Sequence, residues 1–154
     1  LVGSEMCIRD RSAKPSVAFV RGFGMKKGAI ASSVAHDSHN IVAVGCDDDS
    51  LSQAVNAVIE AKGGISAVFQ GETHILPLPI AGLMSPANGY QLAKQYSFID
   101  SWVKAELGCH LQAPFMVLSF LALPVIPSLK ITDLGLFDVD QFQMVAVEVD
   151  AEGG

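Results

Sequence analysis

The sequence predicts an α+β domain: a mixed β-sheet with helices inserted between its strands. Three observations lead there. Short apolar runs bounded by Gly, Asp and Ser recur along the chain and read as strands. Two longer segments carry apolar residues at helical spacing. The 154 residues, half of them hydrophobic and only 17% charged, suit one domain with a substantial core.

Taken in order, residues 16–24, "SVAFVRGFG", read as a strand ending at glycines, and "MKKG" as a turn. Residues 29–35 and 40–45 read as a second and third strand, joined by the polar turn "HDSH". The following "CDDDSLSQAVNAVIEAKGG" has the marks of a helix. Ser50 with Gln53 has capping-box spacing. Leu51, Ala54, Val55, Val58 and Ile59 form one apolar face, and Gly63 and Gly64 stop the helix. "ISAVFQGETHILPLP" reads as a hairpin turning at Gly71-Glu72. After the loop "PIAGLMSPANG", residues 90–107 form a longer helix with Leu92, Tyr96, Ile99 and Val103 as its buried stripe. Pro114 suits the first turn of a short buried helix, which Pro124 and Pro127 end. Residues 142–149 alternate as a last strand.

Residues 1–11, "LVGSEMCIRDR", show neither helical nor strand period. They resemble a translated sequencing-adapter remnant and are expected to be foreign, with native sequence beginning near residue 12. The domain is expected to span residues 12–150, followed by a tail at 151–154.

Composition excludes several functions. The net charge is −6 and no basic stripe interrupts it, so nucleic acid is not an expected partner. The most apolar stretch, "PFMVLSFLALPVIP", is short and proline-broken, so no membrane span is expected. Cys7, Cys46 and Cys109 form no disulfide pattern, which points to a reducing, cytoplasmic setting. The hydrophobic share is high for a free-standing domain and points to surface buried against a partner or a missing domain.

Four features tempt a functional reading and yield to plainer ones. Asp47, Asp48 and Asp49 lack the alternating ligands and downstream Glu of a calcium loop and suit a helix N-terminus. "RGFGMKKG" lacks the order of a phosphate loop. Cys109-His110 is an adjacent pair without further ligands nearby. His74 alternates within a strand. The cluster His36, Asp37 and His39 is different. A turn needs Asp, Ser or Asn, but not two imidazoles, which serve where protons move near neutral pH. These three residues are the candidate substrate-orienting or proton-shuttling tip. No metal-ligand set accompanies them, and no cofactor is expected in this chain.

"RGFGMKKGAIASSVAHDSHNIVAVG" resembles the start of the C-terminal domain of bacterial adenine deaminases of the amidohydrolase superfamily. "LPLPIAGLMS" and "PFMVLSFLALPVIPSLKITDLGLFDV" resemble its later segments, in the same order. The resemblance implies a hydrolase converting adenine to hypoxanthine and ammonia in purine salvage. It implies a (β/α)₈ barrel with a manganese or iron centre, which lies upstream in the family and is missing from this chain. A homo-oligomer is expected. The fragment alone is expected to be inactive. The alternative is a non-catalytic assembly or stabilising domain.

Overall fold

The computed structural model describes residues 2–5, 15–36 and 39–147. A six-stranded sheet has the order β2-β1-β4-β3-β5-β6. Its strands are β1 (Val2–Glu5), β2 (Ser16–Ala18), β3 (Ala29–Ser32), β4 (Ile41–Gly45), β5 (Gly64–Phe69) and β6 (Glu72–Pro77). Helices α1 (Asp48–Glu60), α2 (Gly89–Glu106) and α3 (Pro114–Phe120) cover it. A second sheet joins β7 (Leu129–Thr132), β8 (Gly135–Asp138) and β9 (Gln143–Val145).

The class is α+β, as the sequence predicts. Within it, every described strand pair is antiparallel. The two strands joined by a helical crossover, β4 and β5, run the same way and are linked by α1. They do not touch, because β3 lies between them and pairs with both.

Burial follows from this layering. β3 and β5 are covered on both faces, so their residues are buried almost without alternation. Ala29, Ala31, Ala43 and Val68 meet Ala54 and Val58 of α1. On the other face, Ile30, Val42, Ile65 and Leu76 meet Ile99 and Val103 of α2 and Phe115 and Leu118 of α3. The small side chains under α1 let the helix lie close. Ser66, wholly buried among them, donates to the Ala54 carbonyl at 2.7 Å.

Several local expectations change. Helix α1 is capped by Asp47, not Ser50: its carboxylate accepts from the Ser50 backbone N–H at 2.7 Å. A charged acceptor three residues earlier serves the positive helix end better than a hydroxyl. The helix closes in a Schellman motif with Lys62, not glycine, in the left-handed conformation (φ 59°). Lys62 N–H donates to the Ile59 carbonyl and Gly63 N–H to that of Val58. Gly63 then passes so close to the chain that an added Cβ would lie 2.2 Å from Gly82 Cα. The hairpin turns at Gln70-Gly71, not Gly71-Glu72, since Phe69 pairs with Glu72. Both turn residues have positive φ, the type I′ pattern that matches strand twist.

Of the stripe expected on α2, Ile99 and Val103 are buried, while Leu92 is half-buried and Tyr96 is 36% exposed. The N-terminal half of the helix stands over a cavity instead of resting on the sheet. Pro114 does occupy the first turn of α3. The first strand is shorter than residues 16–24, and the last is cut to Gln143–Val145. The sequence reading has no counterpart to the β7–β8 hairpin. It also assigns no strand to residues 1–11, yet β1 pairs with both β2 and β4. Ladder bonds are made by the main chain, so a strand can join a sheet without an apolar period.

Candidate functional site

The "HDSH" tip leaves the sheet at the end of β3. Its base is held by Ser33, a buried residue just beyond the strand. Ser33 Oγ accepts from Gly64 N–H at 2.8 Å and donates to the Gly82 carbonyl at 2.6 Å. Ser33 N–H also donates to the Gly64 carbonyl at 3.0 Å. One side chain therefore ties β3 to the start of β5 and to the loop of residues 78–88. Ala35 is fully buried, and the chain then turns outward at His36.

His36 is exposed and stacks on Phe120 at the end of α3, with ring centroids 4.8 Å apart and planes 24° from parallel. It stands at the rim of a cavity of about 590 Å³. The wall is mostly apolar: Ile65 and Leu76 from the sheet, Leu92 and Tyr96 from α2, Phe115 and Met116 from α3. Polar groups are few. Ser32 and Ser119 line the cavity, but their hydroxyls bond to nearby backbone, that of Ser119 to the Met116 carbonyl at 2.7 Å. Burial, with the Asp100 carboxylate adding to it, raises the Tyr96 phenol above its ordinary pKa, so it stays a neutral hydroxyl. An apolar slot with a few polar groups at one end suits a flat, largely uncharged ligand.

The other members of the cluster stand differently. Asp37 lies outside the described residues. His39 is exposed, adopts a left-handed conformation (φ 47°), and has no hydrogen-bond, ion-pair or ring partner among the described residues. The geometry thus joins His36 to the cavity and leaves His39 at the turn. The sequence reading missed Phe120 and the cavity wall. One signal was legible: Met116 and Phe120, four residues apart on α3, put two large apolar side chains on one exposed face.

The plainer readings of other motifs agree with their surroundings. Asp47 and the acidic residues after it sit at the α1 N-terminus. Cys109 is buried, and His110 N–H donates to the Phe23 carbonyl at 3.0 Å. Gly24 (φ 71°) allows the close approach of the His110 ring. His74 lies edge-on against Phe98 and Trp102 of α2. Among the described residues no three His, Cys, Asp or Glu converge on a point where a metal could sit. No helix there is long and apolar enough to cross a membrane.

The family model of the adenine deaminase C-terminal domain matches residues 4–143. This chain belongs to the adenine deaminase C-terminal domain family. An adenine deaminase of Salinibacter ruber is 60% identical over 136 residues, which cover 88% of this chain and 25% of the relative. One from Sulfurovum is 55% identical over 89% of this chain and 26% of its own length. One from Archaeoglobus fulgidus is 52% identical over 91% and 25%. The chain therefore spans about a quarter of the length of the relatives it matches. As a member of the adenine deaminase C-terminal family, it has its tip and cavity within the matched region.

Proposed function

We propose that this domain works as part of an adenine deaminase and that its "HDSH" tip closes one edge of the active site. The observation that carries the reading is the family match over residues 4–143, within which His36 stands at the rim of an apolar cavity. In the reaction, water adds to the purine carbon bearing the amino group, the C–N bond breaks, and ammonia leaves with a transferred proton, giving hypoxanthine. His36 is suited to orient the flat purine, because its ring is already fixed by stacking on Phe120. Asp37 and His39 follow in the turn and are proposed to orient substrate or pass a proton with it.

Manganese or iron in the complete enzyme is what the family resemblance implies. The described residues do not fit such a group, so it is assigned to the upstream barrel and no step is derived through it here. On this reading the 154-residue chain alone does not deaminate adenine. Purine salvage in the cytoplasm is the setting we propose. Support for a docking role of the same face comes from the exposed apolar side chains of Val34 and Met116, which line the cavity.

The test replaces His36 and His39 singly by Gln in a full-length enzyme. Turnover is expected to fall by about a hundredfold or more, as for a lost acid-base or orienting group, with metal content and melting temperature unchanged. Phe120→Ala should raise KM more than it lowers kcat, since it frees the His36 ring. Normal turnover in both histidine variants would leave the domain an assembly module with a polar turn.

A further inference from the structure

The loop between β6 and α2 supplies part of the cavity wall, yet it is tied to the rest of the domain by very little. Within residues 79–87 the chain doubles back on itself. Ala81 (φ 56°) and Gly82 (φ 73°) are both left-handed, and Ile80 and Met84 exchange backbone hydrogen bonds at 3.1 Å. Among the described residues, the bond from Ser33 Oγ to the Gly82 carbonyl, at 2.6 Å, is the sole hydrogen bond from this stretch to another segment. We propose that Ser33 is a positioning residue for deamination: its hydroxyl sets the loop and the tip relative to each other, and turnover depends on it through His36. The inference rests on the reading of His36 as a substrate-orienting group.

The connection from Ser33 to His36 is short and held. Only Val34 and Ala35 lie between them. Val34 N–H donates to Ser32 Oγ at 3.0 Å, and Ala35 is fully buried. A shift of the backbone at Ser33 therefore has little slack to be absorbed before it reaches the imidazole. Both segments that meet at Ser33 face the same cavity, the tip through Val34 and His36 and the loop through Leu78 and Leu83.

Packing sets how near the loop comes, but not where it sits sideways. Gly63 touches it so closely that an added Cβ would lie 2.2 Å from Gly82 Cα, and a Cβ on Gly82 would lie 3.4 Å from Ser33 Oγ. Apolar contact of this kind is non-directional. The Ser33 hydroxyl is directional: it gives its one proton to Gly82 and accepts from Gly64 N–H at 2.8 Å. One oxygen thus fixes the loop against the start of β5 and the end of β3 together. Orientation at a reacting centre is sensitive to such settings, since a displacement of about 1 Å can cost about a hundredfold in rate.

The experiment is a double-mutant cycle in a full-length adenine deaminase carrying this domain, assayed well below the melting temperature of each variant and normalised to folded, metal-loaded enzyme. Ser33→Ala should lower kcat/KM at least about tenfold in the parent, but less than about twofold in the His36→Gln background, where the group it positions is already gone. A role in stability alone lowers the melting temperature and leaves no such coupling. Ser33→Cys, which fills the same space with a weaker donor and acceptor, reads the same coupling should the alanine variant not fold. Parent-like kcat/KM in the folded Ser33 variant, or an equal loss in both backgrounds, would overturn the proposal while the reading of His36 stands. Unchanged turnover in His36→Gln itself would overturn that reading, and this inference with it.

Discussion

Ser33→Ala removes a side chain that ties three segments together below the candidate tip. Its two short hydrogen bonds go with it, the one accepted from Gly64 N–H at 2.8 Å and the one given to the Gly82 carbonyl at 2.6 Å, as does a long contact to the Gly64 carbonyl at 3.4 Å. Gly64 is buried, so its N–H is left without a partner and without water. Stranding such a donor costs about 1–3 kcal/mol, and loss of the second bond adds about 1 kcal/mol. The methyl group fits where the hydroxymethyl was, so no cavity cost is added. The expected destabilisation is about 2–4 kcal/mol, and for a chain of this length each kcal/mol shifts the melting temperature by about 2–4 °C. A fall centred near 9 °C should be seen by calorimetry or by circular dichroism. Ser85→Ala is the control, since its bond to Ala87 N–H at 3.2 Å is exposed and should cost under about 0.5 kcal/mol. Hydrogen exchange should also show the Gly64 amide losing protection. If the Ser33 variant melts within about 2 °C of the parent, the latch does not hold the base of the tip and the reasoning fails.

Two further outcomes are expected. Lys62→Gly should stabilise the chain by about 0.5–1 kcal/mol, because a non-glycine residue holds the left-handed position that closes α1, whereas Lys62→Ala should bring no gain; equilibrium urea unfolding distinguishes them. With Cys7 replaced by serine, a thiol reagent should label exposed Cys46 quickly and buried Cys109 only in denaturant. Burial raises the Cys109 thiol in the folded state, so its contribution to stability is fully present below the unfolded thiol pKa of about 8.5 and is lost as pH rises through the folded value. Cys109→Ala should flatten the alkaline limb of the stability profile.

How far the sequence reached depends on the range of the forces involved. Helix α1, the strands around the tip and the proline start of α3 rest on local periodicity and backbone chemistry, which a single stretch carries in full. The family was legible for the same reason, since long segments kept their order. Errors of a residue or three, such as Asp47 for Ser50 at the cap and Gln70-Gly71 for Gly71-Glu72 at the turn, arose where neighbouring residues offer competing solutions. Only the folded chain decides between them, since strand register and helix position are set by partners elsewhere.

The tip shows the division most clearly. Two imidazoles in one short turn were visible in the sequence as an excess over what a turn needs. That His36 would stack on Phe120, at the rim of a cavity walled by β5, β6, α2 and α3, was not visible. Nor was the strand order, in which β6 is the outermost described strand at one end of the large sheet and the β7–β8 hairpin packs at the other. By itself the sequence determined which segments could be helix or strand and which residues carried unusual chemistry. The tertiary structure alone decided which of them meet, because contacts between distant segments are selected by the burial of whole faces and the pairing of main-chain groups, and neither is encoded in any one stretch.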